Sequence, residues 1–251
     1  MQIKVAETAG FCFGVNRAVN MLENMLEKGE KVCTLGPIIH NNTVVDELKK
    51  KGAIIVDSPE NVPDGYNVVI RAHGVTRQVI EKLDKLGVSY TDATCPYVLK
   101  IHRIIKEDSR EDNVVLIAGD ENHPEVCGFR SHCKGASYVF RNADELTDIL
   151  EKANNFSGKE VIVVAQTTFS VIEWKKSLKI IEKVCTNSIS FDTICRATQD
   201  RQNEAQLLSA ECDMILVIGG RHSSNTVKLK NVCEKNCPTY LIERVEELER
   251  L

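Results

Sequence analysis

The sequence predicts an α/β protein built around parallel sheets, and three observations lead to this class. Short runs of β-branched and other apolar residues recur, and each ends in a turn of small residues. Segments with apolar residues at helical spacing lie between these runs. Similar clusters surround Cys12, Cys95 and Cys195, at separations of 83 and 100 residues. Alternating strands and helices are typical of parallel sheets, and the recurrence predicts three similar small units.

Six segments carry the strand pattern, because their continuous apolar runs fit strands buried on both faces. In chain order they are IKVAETAGFC, KVCTLGPIIHN, NVVIRAHGV, NVVLIAGDENHPEV, EVIVVAQTTFS and DMILVIGGRHSSN. Helices are predicted between them from apolar residues that share one face. One such face is Val15, Ala18, Val19, Leu22 and Leu26, and another is Ile172, Leu178, Ile181 and Val184.

Composition excludes several classes of protein. Of the 251 residues, 43% are hydrophobic and 27% are charged, and the formal net charge is −4. This balance supports a hydrophobic core, and the absence of a basic run argues against nucleic-acid binding. No apolar run is long enough to span a membrane, and MQIKVAETAGF lacks the apolar core of a signal peptide. We therefore expect a cytoplasmic protein with no membrane and no nucleic-acid partner.

Acid–base groups and hydrogen-bond donors follow the predicted strands. In parallel α/β sheets, ligands bind beyond the carboxyl ends of the strands. The side chains at these ends are Cys12, His40, Asn41, Asn42, His73, His123, Glu125, Thr167, Thr168, Ser223, Ser224 and Asn225. Histidines are more frequent among them than turns alone require. We expect a ligand site where these strand ends meet.

Three of the ten cysteines share one kind of neighbourhood. Cys12, Cys95 and Cys195 each precede a helix-like segment, and a helix N-terminus stabilises a thiolate. Asp92 and Asp192 lie three residues before the second and third of them. Thiolates from three separate units can hold an iron–sulfur cluster. The alternative is three buried core cysteines, because the long separations match no local metal-binding motif.

The segment HPEVCGFRSHC has two interpretations. As a zinc site it would use His123, Cys127, His132 and Cys133, although this spacing matches no zinc knuckle. In the other interpretation, the proline between His123 and Glu125 favours an extended turn that points both side chains into a cleft. Glu125 then acts as a proton donor if its surroundings raise its pKa. The alternative for Glu125 is a solvated surface glutamate.

A set of neutral donors is suited to binding an anion. The set comprises His40, His73, His123, Ser223, Ser224 and Asn225, without a Gly-rich phosphate loop. In GGRHSSN, two hydroxyls and an amide lie after a strand and before a helix, which favours an anion. Such donors suit a diphosphate held without a metal ion. The alternatives are an ordinary helix N-cap at SSN and histidines satisfied within the core or in turns.

Eight motifs occur in a fixed order along the chain. They are AGFCFGVNRAV, IIHNNTVVDEL, IRAHGV, DATCPYV, HPEV, AQTTFS, DTICRATQDRQ and GGRHSSNT. Together they resemble the LytB/IspH family of hydroxymethylbutenyl diphosphate reductases. The resemblance extends from about residue 3 to about residue 242, which is nearly the whole chain. One such motif is weak, but eight in this order are highly specific.

The resemblance implies a fold and a reaction. The family fold is three α/β domains in a pseudo-threefold trefoil around a central iron–sulfur cluster, which predicts domains at residues 1–95, 96–193 and 194–251. The implied reaction removes the allylic alcohol of (E)-4-hydroxy-3-methylbut-2-enyl diphosphate reductively. It gives isopentenyl and dimethylallyl diphosphates, in the last step of the methylerythritol phosphate route to isoprenoids. The electrons must come from outside, because the chain has no Gly-rich flavin or nicotinamide fingerprint, and the resemblance implies ferredoxin or flavodoxin as their donor.

The resemblance also implies roles for individual residues. Cys12, Cys95 and Cys195 would ligate a 4Fe-4S cluster with one iron open to substrate. The diphosphate would be held by His40, His73, His123, Ser223, Ser224 and Asn225, with Thr168 next to the substrate. The catalytic residues would be Glu125, which relays protons, Thr167, which orients Glu125 and the substrate hydroxyl, and His123. Gly10 and Gly14 would let the backbone pass close to the cluster, and Phe11 and Phe13 would shield it from water.

The chain departs from the family pattern at its end. Family members continue past a segment like TYLIERVEELE into a further strand and a TAGAS-type motif whose serine binds diphosphate, whereas this sequence stops at Leu251. A C-terminally shortened third domain with one anchor fewer is therefore expected. The alternative function is a cluster- or diphosphate-binding remnant without turnover. A third hypothesis is a zinc-binding structural protein built on Cys127, His132 and Cys133.

Overall fold

Three parallel β-sheets, each accompanied by helices, organise the chain. The computed structural model describes residues 2–152, 156 and 158–250. Within these residues the sheets contain four, four and two strands, and every strand pair is parallel. The predicted α/β class with parallel sheets is confirmed.

The first sheet lies in the N-terminal third of the chain. Its strands are β1 (Val32–Leu35), β2 (Ile54–Val56), β3 (Asn67–Ile70) and β4 (Tyr90–Asp92), in the order β2-β1-β3-β4. Its helices are α1 (Phe13–Glu27), α2 (Asn42–Lys50) and α3 (Arg77–Leu86), with a 3₁₀ turn at Pro59–Asn61. Ala18 and Leu22 of α1 pack against Val32 and Val69 of the two central strands. This buried face is the one predicted from the helical spacing.

The second sheet repeats this arrangement. Its strands are β5 (Val114–Ala118), β6 (Ala136–Phe140), β7 (Val161–Ala165) and β8 (Ser188–Ser190), in the order β6-β5-β7-β8. Its helices are α4 (Pro96–Asp108), α5 (Pro124–His132), α6 (Ala143–Lys152) and α7 (Val171–Val184). The central strands β5 and β7 are buried along their whole length. In α7 the face differs from the prediction, because Trp174 and Ile181 are buried while Ile172 and Val184 are exposed.

The third sheet has two strands in the described part of the chain, β9 (Ile215–Ile218) and β10 (Thr239–Ile242). The helices α8 (Arg196–Glu211) and α9 (Ser224–Cys233) pack against each other beside it, and a 3₁₀ helix follows at Val245–Arg250. Each of the three predicted domain ranges holds one sheet. The domain boundaries themselves stay a prediction.

Five of the six predicted strand segments form strands, and the first does not. Residues 2–10 form no β-ladder, and two of their backbone N–H groups bond to a side chain instead. The carboxylate of Glu204 on α8 accepts the backbone N–H groups of Glu7 at 2.6 Å and Thr8 at 2.9 Å. It also accepts the hydroxyl of Thr8 at 2.5 Å. The N-terminal segment is thus held to the third unit of the chain.

The three units contact one another through specific backbone approaches. Gly220, after β9, lies so close to the carbonyl of His40 that any Cβ at this glycine would overlap it. Gln202 of α8 donates to the carbonyl of Phe169 at 3.1 Å and accepts the N–H of Val171 at 3.0 Å. The backbone N–H of Arg77 donates to Ser131 Oγ at 3.0 Å. In the described residues no helix is long and apolar enough to cross a membrane.

Candidate active site

The three cysteines singled out in the sequence occupy equivalent positions. Cys12 is the N-cap residue of α1, Cys95 that of α4 and Cys195 that of α8. Each unit therefore contributes one thiol at the start of a helix, where the helix dipole and free N–H groups favour a thiolate. Burial raises the pKa of Cys95, and the N–H groups of Tyr97 and Val98 in the first turn of α4 oppose that rise.

The three thiols face one another. A Cβ on Gly14 would lie 2.5 Å from the sulfur of Cys95, so only glycine lets the first turn of α1 approach this thiol. The charge of Cys12 raises the pKa of both Cys95 and Cys195, because like charges at close range disfavour ionisation. These contacts bring together all three predicted cluster ligands.

The spacing of the thiols fits a cluster better than a single ion. Among the described residues, only His40, His73 and His123 bring three ligand atoms within 4.8 Å of one another. The three sulfur atoms are therefore spread more widely than the ligands of one zinc ion. Soft thiolate ligands at this wider spacing fit an iron–sulfur cluster. Because Gly14 has no side chain, space remains beside the sulfur of Cys95 that a Cβ atom would otherwise fill.

Three histidines meet beyond the strand ends of the first two sheets. His40 follows β1, His73 follows β3, and His123 is the N-cap of α5 after β5. The ring centroids of His40 and His73 lie 4.2 Å apart, and each lies 5.6 Å from that of His123. Nε2 of His40 and Nδ1 of His73 are buried without a hydrogen-bond partner in the described structure. Unpaired buried ring nitrogens of this kind mark a place for a ligand.

These histidines are neutral. Burial lowers the pKa of His123 to about 4 and that of His73 well below its usual value. Burial also lowers the pKa of His40. Nδ1 of His123 accepts the N–H of Glu125 at 3.2 Å, so the proton of the neutral ring is on Nε2 and can be donated to a ligand.

Two cations that sequence reasoning missed lie against this pocket. The charge of Arg71 lowers the pKa of all three histidines, and that of Lys228 lowers the pKa of His123. Arg71 Nε donates to the carbonyl of Gly74 at 3.2 Å, and Lys228 Nζ lies 4.9 Å from the ring centroid of Phe169. Neither makes an ion pair with a described residue. The resulting positive potential favours an anion over a metal cation.

Both cations had signals in the sequence. Arg71 stands two residues before His73 in IRAHGV, and Lys228 stands one helical turn after Ser224. Residues at these spacings share a side of an extended segment or a helix with the neighbouring predicted ligand. A positively charged residue at such a spacing from a predicted anion ligand is therefore a sequence indicator that this residue also lies at the anion site.

Glu125 is buried and tied to Thr167. Its side chain is 3% exposed, and Thr167 Oγ1 lies 2.9 Å from both carboxylate oxygens. The backbone N–H of Thr167 donates to Oε2 at 3.0 Å. Burial raises the pKa of Glu125 to about 7, although both contacts with Thr167 oppose the rise. The alternative of a solvated surface glutamate is wrong. The predicted extended turn is replaced by a helix, because Pro124 occupies the first turn of α5.

A row of polar side chains connects the second and third units. Thr168 Oγ1 and Ser224 Oγ are 2.9 Å apart, and Gln166 Nε2 donates to both, at 2.9 and 3.3 Å. Gln166 was not predicted, and its only sequence signal is its place in AQTTFS. Ser223 caps α9 by accepting the N–H of Thr226 at 3.4 Å, and Asn225 lies half-buried in the first turn of this helix.

Some predicted residues are not brought to a site. Asn41 caps α2 by accepting the N–H of Val44 at 3.1 Å. The zinc set is not assembled, since no described group containing Cys127, His132 and Cys133 converges on one point. His132 instead packs against His102, with ring centroids 4.7 Å apart.

Comparison with known proteins decides the family. The LytB protein family model matches residues 3–251. The chain belongs to the LytB family.

Curated LytB relatives and solved structures agree over nearly the whole chain. A 4-hydroxy-3-methylbut-2-enyl diphosphate reductase of Thermoanaerobacter sp. (strain X514) is 44% identical, over 99% of this chain and 86% of the relative. One from Clostridium perfringens (strain ATCC 13124) is 42% identical, over 98% and 86%. The E-1-hydroxy-2-methyl-but-2-enyl-4-diphosphate reductase structure from Plasmodium falciparum superposes with a TM-score of 0.86 at 30% identity, covering 96% of this chain and 76% of that one. A second reductase structure, of the terminal enzyme of the non-mevalonate pathway, gives 0.70 at 37%, covering 98% and 87%.

Proposed function

We infer that this LytB protein reduces (E)-4-hydroxy-3-methylbut-2-enyl diphosphate to isopentenyl and dimethylallyl diphosphates. The reaction breaks the allylic C–O bond, forms a C–H bond and releases water, and it consumes two electrons and two protons. The observation that carries this inference is the buried Glu125, with its pKa raised to about 7, between three helix-capping thiols and a neutral histidine pocket. The family membership supports turnover over a binding remnant.

Cys12, Cys95 and Cys195 would hold the 4Fe-4S cluster of this family. Their support is the donor set itself, three thiols that face one another and are too widely spaced for one ion. When bound, the cluster supplies electrons and an open iron that acts as a Lewis acid toward the substrate hydroxyl.

The diphosphate would occupy the histidine pocket. His40, His73 and His123 offer ring nitrogens, two of them buried without a partner, and neutral rings can donate to phosphate oxygens. The proposed diphosphate site also includes the neighbouring Thr168 and Ser224, whose hydroxyls lie 2.9 Å apart, together with Ser223 and Asn225. Arg71 and Lys228 add positive charge that attracts the anion, although burial lowers the pKa of both. Anchoring the diphosphate positions the alcohol for reaction, which lowers the entropic part of the barrier.

Glu125 would protonate the leaving hydroxyl. Hydroxide is a poor leaving group, so the C–O bond breaks more easily when a proton is delivered to its oxygen. A carboxyl with a pKa of about 7 carries that proton near neutrality, unlike an exposed glutamate. Thr167 would fix the carboxyl through its three contacts and orient the substrate hydroxyl.

The electrons would come from ferredoxin or flavodoxin in the cytoplasm. All ten cysteines are free, including those buried in the core, which fits a reducing compartment.

A metal ion bound by the three histidines is the competing interpretation of the histidine pocket. The two half-buried cations beside it, Arg71 and Lys228, disfavour a divalent ion there.

Anaerobic reconstitution followed by turnover tests this function. We expect about four irons per chain and conversion of the allylic diphosphate to both products with a chemical reductant such as dithionite. A reconstituted chain that retains no iron, or that retains iron without forming either product, would contradict the proposal. Binding of one zinc ion and no iron would support the hypothesis of a zinc-binding structural protein.

A further inference from the structure

The three thiols are anchored to the fold by different means. The backbone N–H of Cys95 donates to the carbonyl of Ala72, just after β3, at 2.9 Å. In the same way, the N–H of Cys195 donates to the carbonyl of Thr167, just after β7, at 3.1 Å. The N–H of Cys12 has no main-chain acceptor among the described residues. The main chain therefore ties two of the thiols to the ends of central strands and leaves the third without such an anchor.

Apolar packing does not hold the segment that leads into Cys12 either. Ile3 is 75% exposed and Val5 is 78% exposed. Phe11 and Phe13, predicted to shield the cluster from water, are 44% and 65% exposed, so both side chains face outward. Burial stabilises a segment in proportion to the apolar area that is removed from water, and this area is small here. Polar contacts must therefore fix the backbone in front of Cys12.

Two side chains of α8 supply those contacts. Arg201 donates through Nε to the carbonyl of Thr8 at 3.1 Å and through Nη2 to that of Gly10 at 2.6 Å. One turn further along α8, the carboxylate of Glu204 accepts the N–H groups of Glu7 and Thr8 and the hydroxyl of Thr8. Residues at this spacing share a face of a helix, and hydrogen bonds with a charged partner are among the stronger ones. We call Arg201 and Glu204 together the α8 clasp.

The α8 clasp connects two of the proposed cluster ligands through one helix. Cys195 is the N-cap of α8, and both clasp residues lie in the N-terminal part of the same helix. The helix is itself fixed to the second unit, because the buried Gln202 bonds to the main chain at the start of α7. Side chains of α8 therefore set the position of Cys12 relative to Cys195.

Other contacts of this segment within the described residues are weaker. Asn16 Nδ2 donates to the carbonyl of Phe11 at 3.2 Å, at an exposed position. Lys4 Nζ and the carboxylate of Glu211 lie 3.0 Å apart, and both side chains are largely exposed. An exposed ion pair contributes little to stability, because water and salt screen it. The α8 clasp thus provides most of the polar attachment in front of Cys12.

We propose that Arg201 and Glu204 are positioning residues for Cys12, which hold its thiol in place before any iron is bound. This inference rests on the proposed function, because the position of Cys12 matters for a cluster site. A ligand that is already in place binds without the entropic cost of ordering its segment. Without the clasp, Cys95 and Cys195 would stay in position while Cys12 moves with a loose N-terminal segment.

The reaction of the iron-free protein with iodoacetamide tests the α8 clasp independently of the proposed function. A thiol in a loose segment is more accessible to the reagent, so its rate of alkylation reports on local opening. The rate is measured at each of the three thiols by peptide mass spectrometry, under anaerobic conditions. General destabilisation would raise all three rates, whereas loss of positioning would raise that of Cys12 alone.

We expect Arg201→Ala and Glu204→Ala to raise the alkylation rate at Cys12 by about tenfold, the effect of losing one charged hydrogen bond. Glu204→Gln keeps an acceptor oxygen, so its effect should be smaller. Glu211→Ala is the matched control, because it removes a carboxylate from the same helix that contacts the same segment, at the exposed Lys4. It should leave the rate at Cys12 unchanged. At the other two thiols the rates should stay within about twofold of the wild type in every variant.

An unchanged rate at Cys12 in Arg201→Ala and Glu204→Ala would overturn the positioning role, and so would an equal rise at all three thiols. Iron release from the reconstituted protein to EDTA gives a second measurement. It should be about tenfold faster in both variants than in the wild type, and equal rates would count against the clasp. A wild type that takes up no iron would contradict the proposed function, and the alkylation rates would still decide the role of the clasp.

Discussion

The thiol side and the histidine pocket of this protein are built by different means. On the thiol side each unit contributes the same device, a cysteine at the N-cap of a helix, at Cys12, Cys95 and Cys195. In the pocket the three units contribute different sets of groups. The first supplies His40 and His73, the second supplies His123 and the acid Glu125, and the third supplies hydroxyls such as that of Ser224.

The functions that we propose for the two sides account for this difference. Ligands of a symmetric cluster can come from equivalent positions, because every thiolate has the same task. A substrate with an anion at one end and a leaving group at the other needs unlike groups at unlike places. The thiols also border the exposed Phe11 and Phe13, whereas Glu125 and His123 in the pocket are buried. Substitutions on the two sides should therefore fail in different ways.

The largest effect is expected on the thiol side. Cys12→Ser removes one of the three proposed ligands, so we expect iron to fall from about four per chain to near zero after anaerobic desalting, with turnover lost. Iron analysis and the visible absorption of the cluster measure this. Cys212→Ser is the control, because Cys212 lies at the opposite end of α8 from Cys195. Full iron content in Cys12→Ser would show that Cys12 is not a cluster ligand.

In the pocket, Glu125→Gln should impair the reaction without affecting assembly of the cluster. The amide keeps the size of the side chain but cannot deliver the proton, so kcat should fall by about 10²–10⁴. Iron content and KM should stay within about twofold of the wild type, because the thiols and the anion site are untouched. Glu121→Gln, at an exposed position paired with Arg130, is the control. Normal turnover of Glu125→Gln would end the proton-donor role.

The pH dependence should report the same carboxyl. Since burial raises the pKa of Glu125 to about 7, kcat should decline as pH rises through that value. The apoprotein should show a matching trend in its free energy of unfolding. The folded chain binds this proton more tightly than the unfolded chain does, so the contribution is full below pH 4.5 and is lost by about pH 7. Both trends should disappear in Glu125→Gln, and their persistence would assign them to another group.

Thr167→Val should cause a smaller loss. It removes the hydroxyl contacts to Glu125 but keeps the backbone N–H, so kcat should fall about tenfold through misorientation. The pKa of Glu125 should rise further, because the hydroxyl lowers it in the wild type. The decline of kcat should therefore move to higher pH. A Thr147→Val variant, altered on α6 away from the pocket, should keep the wild-type profile.

The smallest effect is expected where the third unit approaches the histidine pocket. Gly220→Ala would place a methyl against the carbonyl of His40, so the backbone must shift. We expect a loss of about 1–3 kcal/mol in the free energy of unfolding and a raised KM, with iron content unchanged. Denaturant titration and initial rates measure both. Unchanged KM would indicate that the position of His40 does not depend on this approach.

How well the strands were predicted depended on their place in the sheets. The five predicted strands are β1, β3, β5, β7 and β9, and four of these are central in four-stranded sheets. Central strands of parallel sheets are buried on both faces and carry long apolar runs. The missed strands, including β4 (YTD) and β8 (SIS), all lie at sheet edges. These edge strands are partly exposed, even where, like β6, they are as long as a central strand, so they carry no continuous apolar run.

By itself the sequence determined the α/β class, the family and the identity of the chemical groups, because these depend on residue types and their order. The pairing of Glu125 with Thr167, the meeting of the three histidines and the charge of Arg71 and Lys228 beside them were decided by the tertiary structure. The outward orientation of Phe11 and Phe13 was decided there as well. The physical reason is that a pKa, an electrostatic potential and the exposure of a side chain depend on burial and on contacts between segments that are distant in the sequence. The local spacing of residues does not specify those contacts.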